Sequence, residues 1–356
     1  MALKILKILL LAVIVFGLPG MYIFSLRGYI IRLVSLLLLC TEFVSLFRLV
    51  FYKPSNTAWF KSFFLALTSV SVFLIFLETV CMFVPIYHGI NHSYGSKIWF
   101  KMYWNPINSF GFRDREPRQN ETTILFVGDS FTAGHGIKNI RDRFSDIVGK
   151  QLSYVRSANI GKNGLDSGSE YDLMIDFISK TKIKPSKIIL QYFGNDIDRI
   201  AIRNGLKFKG FIPYTEISNI SRYLINSSFL LNFIYWSFPS DYSKEYIDFI
   251  VKAFENEYIF KEHLKDLQRF IDYAKESAAE LVVVVFPFMQ SFETSWETYS
   301  EKIISFFKMN GVKTVDVALL TADLKAIERV VNKNDGHAST VVHKRVADEI
   351  IRIIDK

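Results

Sequence analysis

At 356 residues the chain has room for one large domain or two smaller ones. Half of it is hydrophobic, its mean hydropathy is +0.20, and the apolar excess lies before residue 90, which argues against a purely soluble protein. The net charge of +8 suits an anionic lipid surface or acidic glycans, nothing resembles a nucleic-acid-binding module, and Cys40 and Cys81 lie in apolar runs, which excludes a disulfide framework and a zinc site.

Three apolar stretches, Ile8 to Leu26, Leu33 to Tyr52 and Ser62 to Tyr87, each approach the ~20 residues a helix needs to cross a bilayer. Three transmembrane helices are expected over residues 1–90, followed by a connector over 91–104. The first stretch, with Lys4 and Lys7 ahead of it, has the look of a signal peptide, but its apolar run is longer than a typical h-region and two further spans follow. Lys4, Lys7, Arg48, Lys53 and Lys61 fall on one side and only Arg27 and Arg32 on the other, with Lys97 and Lys101 weakening the bias. This places the amino terminus in the cytoplasm, and everything after Tyr87 on the periplasmic or extracellular side of the plasma membrane. Glu42 and Glu78 interrupt the second and third spans, where an ionisable group is expensive. They either form a polar path or a docking face for another membrane protein, or are hydrogen-bonded near helix ends or between these helices; the second reading is favoured.

A second domain is expected over 105–356. Asn108-Ser109-Phe110-Gly111-Phe112-Arg113-Asp114 and a polar patch lead to an apolar run, Ile124 to Val127, that ends in Gly128-Asp129-Ser130. The pattern predicts a buried strand, a tight turn and a helix. Such a turn lifts Ser130 out at the carboxyl end of a strand, where α/β proteins keep their ligand crevice. Ser130 is the candidate nucleophile, provided an imidazole reaches it.

Further strands are predicted at Val155 to Ile160, Ile188 to Phe193, Leu281 to Phe286 and Val312 to Val317. Helical stripes lie between and after them: Ile140, Phe144, Ile147 and Val148; Leu264, Leu267, Ile271 and Ala274; Val342, Val346, Ile350 and Ile354. Strands alternating with helices imply a doubly wound α/β sandwich on a mainly parallel sheet.

Chemistry belongs at the strand ends. After the second strand comes Asn159-Ile160-Gly161-Lys162-Asn163-Gly164, after the third Gly194-Asn195-Asp196, and near the end Asn334-Asp335-Gly336-His337, before a helix that Ser339 could cap. Gly164 could aim a backbone N–H at an oxyanion, Asn195 could add an amide donor, and His337 could enter from a loop as a base. Each alone is equally explained by a turn, a helix cap or a surface loop. Together they set a nucleophile, two donors and a base at the ends of the expected elements.

In this order GDSFTAG, NIGKNG, YFGND and DGH resemble the four signature blocks of the SGNH (GDSL-like) hydrolase superfamily, over nearly all of 105–356. The resemblance implies a flavodoxin-like sheet, Ser130 as nucleophile, His337 as general base and Asp335 as the residue that orients it. It also implies an oxyanion hole made by Ser130 N–H, Gly164 N–H and the Asn195 side chain, with no cofactor and no metal. NSFGFRDRE is similar to a stretch preceding the GDS block in membrane-anchored bacterial members. Ala338-Ser339 stands where many relatives have Pro-Asn, though Ser339 can still cap. His343, where relatives often carry a second histidine, is expected to be structural, and His135, close to Ser130 in sequence, is either a substrate contact or a loop residue; the second is favoured, with no catalytic role.

The long aromatic insertion from Ile197 to Tyr258, centred on Ser228 to Phe238, reads as a lid or lipid contact, or as a core helix packed inward; the second is favoured. The expected protein is a membrane-anchored serine esterase or O-acyltransferase acting on O-acyl groups, foremost O-acetyl, of cell-envelope glycans. Its expected partners are an acylated carbohydrate or lipid-linked substrate and the bilayer. A lipid esterase or thioesterase, or a non-catalytic envelope-assembly subunit, are the alternatives. Asn-X-Ser/Thr sites at Asn91, Asn120, Asn219 and Asn226 matter only in a eukaryotic secretory pathway.

Overall fold

The computed structural model describes a partial set of residues between 66 and 84, then 102–118, 121–152, 154–207, 218–237, 242–332 and 335–355. The first two apolar stretches and Glu42 lie outside the described residues, and the third stretch is described in part, as helix. Among the described residues no helix is long and apolar enough to cross a membrane. The chain divides into two units, one of 1–100 with 212–240 and one of 101–211 with 241–356.

In the second unit five parallel strands form one sheet: β1 (Thr122–Val127), β2 (Arg156–Asn159), β3 (Lys184–Tyr192), β4 (Glu280–Val285) and β5 (Lys313–Asp316), in the order β2-β1-β3-β4-β5. All five fall on the expected runs. β3 starts earlier than its apolar signal because Lys184 and Pro185 pair with Thr122 and Thr123 at the polar end of β1.

The sheet is covered on both faces. Leu125, Val127, Leu190 and Val283 point to one core with helices α3 (Ser167–Thr181), α7 (Tyr242–Glu255), α8 (Glu257–Glu276) and α9 (Glu301–Met309). Ile124, Phe126, Ile189 and Val282 point to the other, with α2 (Phe144–Gln151) and α10 (Thr340–Ile354). Sheet neighbours alternate between the two cores because strand side chains have a period of two, and burial on both faces explains the unbroken apolar runs. The doubly wound architecture is the expected one.

Three expectations change. The stripe begun at Ile140 breaks at Arg143, which is extended (ψ 146°), so Ile140–Asp142 forms a separate 3-10 turn. His337 comes from a short antiparallel hairpin, β6 (Val330–Asn332) with β7 (Asp335–Ala338), and not from a loop. Finally, 197–258 is not one insertion: α4 (Asp198–Arg203) and α7 bury Ile200, Ala201, Phe249, Ile250 and Phe254 in the core of the second unit, whereas 212–240 belongs to the first. That excursion carries helices α5 (Asn219–Ser227) and α6 (Phe229–Ser237).

Candidate active site

β1 ends in a turn built on Gly128, where a Cβ would lie 2.4 Å from Gln191 Oε1 and 2.3 Å from Thr132 Oγ1, so only glycine fits. Gln191 Oε1 accepts from Asp129 N–H at 3.0 Å and from Thr132 Oγ1 at 3.0 Å. Asp129 Oδ1 then caps helix α1 (Ser130–Ala133) by accepting from Phe131 N–H at 2.8 Å. Ser130 therefore opens a helix at the carboxyl end of β1, as its sequence context requires.

Asp335 and His337 are two residues apart on β7 and so share a side of the hairpin. His337 Nε2 lies 2.8 Å from Ser130 Oγ, and His337 Nδ1 lies 2.5 Å from Asp335 Oδ1, which also accepts from His337 N–H at 3.1 Å. Burial pushes the Asp335 carboxyl up, but the hydrogen bond and charge of His337, with help from His135, hold it down at about 2. An ionised Asp335 accepts a hydrogen bond from Nδ1–H and so keeps the ring proton on Nδ1, which leaves Nε2 as the acceptor for the Ser130 hydroxyl. The three residues thus form one directed relay.

Gly164 has φ 75°, and a Cβ there would meet nothing within 4 Å, so its backbone borders open space in a left-handed conformation. Its loop is tied beside Ser130 by Lys162 N–H, which donates to Gly128 O at 3.1 Å. Asn195 sits differently from the expectation of a free donor. Its Nδ2 donates to Asp129 Oδ2 at 3.0 Å and to Leu165 O at 3.3 Å, while its Oδ1 is buried without a partner. Asn195 reaches the residue before Ser130, with its amide hydrogens already engaged. Asp196 ties the same turn together, accepting from Phe193 N–H at 2.6 Å and Ser167 Oγ at 3.0 Å.

Sequence reasoning placed His135 near Ser130 but missed its contacts with His337 and Asp335. Its ring lies over that of His337 with centroids 4.4 Å apart, and its Nε2 is 3.8 Å from Asp335 Oδ2. Asn163 Nδ2 lies 3.3 Å from His135 Nδ1 and, as donor, puts the His135 proton on Nε2, facing the carboxylate. Burial, and then the neighbouring His337, lower the His135 pKa to about 4. The signal for it was only its distance of five residues from Ser130. His135, Asp335 and His337 also bring their ligand atoms within 4.8 Å of one another. A cation there would have to break the relay that already occupies Asp335 Oδ1.

Also missed was the purpose of the segment before β1. Arg113, 2% exposed, donates to the carbonyls of Gly134, Ile137 and Tyr103, each at 2.6 Å, and more weakly to Ala133 and Lys138 at 3.4 Å. Buried Arg143 donates to Arg113 O at 2.6 Å, Ala133 O at 3.2 Å and Asp146 Oδ2 at 2.7 Å. Burial, then the charge of Arg143, lower Arg113 to about 10. Asp114 Oδ2 accepts from Asn159 N–H at 2.7 Å, and burial raises that carboxyl to about 6 against the pull of Arg143. The FGFRD run is thus a brace for the 133–138 loop that carries His135. His343, expected to be structural, is buried on α10 and accepts from Phe144 N–H at 3.2 Å through Nδ1.

Fold and relay together define a doubly wound α/β domain with a serine–histidine–aspartate relay at the carboxyl end of its sheet. No family model and no curated protein matches the chain. Among solved structures it is similar to a lipolytic protein of the G-D-S-L family from Veillonella parvula, at 13% identity and TM-score 0.41 over 66% of this chain and 99% of that one. It is also similar to the psychrotrophic esterase EstA from Pseudoalteromonas, at 10% identity and TM-score 0.39 over 66% and 100%. A third is a lipase/acylhydrolase from Enterococcus faecalis, at 12% identity and TM-score 0.36 over 65% and 95%. Likeness at this level bears on neither activity nor substrate.

Proposed function

We propose that the chain is a membrane-anchored serine esterase or O-acyltransferase of the SGNH type, acting on O-acyl groups, foremost O-acetyl, of cell-envelope glycans on the outer side of the plasma membrane. The observation that carries the chemistry is the relay from Asp335 through His337 to Ser130, with contacts of 2.5 and 2.8 Å. The four sequence blocks in order support the family. The apolar stretches before residue 90 support the anchor.

In this reading His337 Nε2 takes the Ser130 proton as the hydroxyl oxygen attacks an ester carbonyl, and Asp335 stabilises the imidazolium without itself taking the proton. Ser130 N–H and Gly164 N–H face the developing oxyanion. Asn195 joins them by releasing Leu165 O or Asp129; each such donor is worth ~10² to 10³ in turnover. His337 then returns the proton to the leaving alcohol, and the acyl-enzyme passes to water or to a sugar hydroxyl.

The test uses the full chain in lipid vesicles, with p-nitrophenyl acetate and an acetylated glycan, comparing wild type with Ser130→Ala. Ser130-dependent acetate release is expected, with a loss of ~10⁴ or more in the variant. An added acceptor sugar then separates hydrolysis from transfer. Equal turnover by the two folded proteins sinks the proposal, and turnover rising from acetyl to long-chain esters moves the substrate to a lipid.

A further inference from the structure

Within the first unit, the helix described in part between residues 66 and 83 carries Glu78, only 8% exposed. Its Oε2 accepts from Ser228 Oγ and Leu230 N–H, both at 2.8 Å, and its Oε1 from Phe229 N–H at 2.6 Å. Phe229 and Leu230 open α6, and a helix cannot satisfy its first N–H groups from within. A carboxylate from another part of the chain does so here, at the end of the helix where the peptide dipoles favour negative charge. Asn232 is buried too, with Nδ2 donating to Ile225 O at 3.4 Å.

The apolar side chains do the opposite. Phe73 is 58% exposed on the first helix, Ile220 74% on α5 and Ile234 46% on α6, with Val70, Phe76 and Leu224 also turned outward. Apart from exposed Ser218 and Asn219 at the start of α5 and the unpartnered Asn232 Oδ1, paired polar groups lie inside and large apolar groups outside, which is the reverse of packing for water and is what hydrocarbon demands of a protein. The occupant of this face follows from continuity: the exposed residues belong to, or are fastened to, the apolar stretch Ser62 to Tyr87. α6, with 9 residues, is about 13 Å long, too short to cross a core of ~30 Å, so the excursion enters the bilayer and returns on the side it came from.

We propose that 218–237 is a lipid-embedded helical pair, fastened by Glu78 to the third apolar segment, so that the acyl-handling domain is tied to the bilayer by an excursion from its own middle as well as by its amino-terminal connector. The proposal rests on the membrane reading given above.

The test places a single cysteine at Phe73, Ile234 or Met309 (exposed, in the second unit) in the full chain with Cys40→Ala and Cys81→Ala. Each is labelled with an environment-sensitive fluorophore in phosphatidylcholine/phosphatidylglycerol vesicles, with or without brominated acyl chains. The probes at 73 and 234 are expected to lose about half their fluorescence or more to the brominated lipid, and the probe at 309 none. Quenching at 73 but not at 234 overturns this inference and leaves the anchor standing; quenching at neither overturns both. Glu78→Ala is expected to reduce quenching at 234 and leave it unchanged at 73, and no change at 234 overturns the fastening.

Discussion

Arg113 and Glu78 are both buried charges, one in each unit, and they are matched by opposite ends of the peptide group. Arg113 gathers carbonyls of the 133–138 loop, and Glu78 gathers the N–H groups that open α6. Each fastens a segment distant in sequence by satisfying backbone that its own element leaves bare. What differs is the surroundings. The second unit hides Phe126, Phe144 and Phe286 in a core and leaves single apolar side chains such as Met309 and Leu319 exposed, whereas the first shows Phe73, Phe76 and Ile234 together on its two helical segments. In both units the buried ion sits where backbone groups would otherwise lack partners.

The strongest way to break the comparison is Arg113→Met. It leaves five carbonyl contacts without their donor, and at roughly 1–3 kcal/mol for each buried acceptor left unpaired the expected loss is about 3–5 kcal/mol in thermal unfolding of the second unit, with esterase activity falling alongside. A stable, active variant would show that the brace is dispensable. Glu78→Ala should cost less, about 1–3 kcal/mol, read as faster proteolysis of 218–237 in vesicles with activity toward p-nitrophenyl acetate kept. If activity collapses as far as in Arg113→Met, the two fasteners do not act on separate units.

A smaller effect sharpens the role of the second unit's interior. Burial, then the charges of Arg143, His337 and Arg113, hold His343 down at about 3, below an unfolded value of ~6.5. A lowered pKa means the native state binds fewer protons, so stability present above ~6.5 is lost as pH falls toward 3. His343→Leu should flatten that loss by about 1.4 kcal/mol per pH unit between roughly pH 6 and 4, although it also removes the acceptor of Phe144 N–H. An unchanged slope would contradict a neutral buried imidazole.

The smallest effect concerns the two adjoining imidazoles. Burial, and then the neighbouring His337, hold His135 to about 4, so its ring is neutral above pH 5. The profile of log kcat/KM above pH 5 should therefore have the same shape in wild type and in His135→Phe. The groups facing the pair are Asp335, Asn163, Asp129 and Arg113. A profile above pH 5 that changes shape in His135→Phe would contradict a His135 ring that is neutral there.

The fold was legible where burial left a long apolar run. β1, β3 and β4 are covered on both faces and read as strands from Ile124, Ile188 and Leu281 onward. The hairpin that carries His337 was not legible, because its strands are three and four residues long and one of them reads Asp-Gly-His-Ala. The residue identities of the relay were readable, since serine after a buried strand and histidine before a capped helix are local patterns. Arg113 and His135 were not, because their meaning depends on loops meeting across about twenty residues or more. The aromatic segment was legible in part: Phe249 and Phe254 pack inward as aromatic side chains commonly do, whereas nothing local in the sequence marks 212–240 as belonging to the first unit.

The most direct measurement is intact and peptide mass after treating the full chain with a fluorophosphonate. The account predicts a single adduct, on Ser130, abolished in Ser130→Ala and slowed by about 10⁴ in Asp335→Asn, where the relay can no longer hold the His337 tautomer. No adduct on a folded chain, or an adduct on another serine that survives Ser130→Ala, would contradict it.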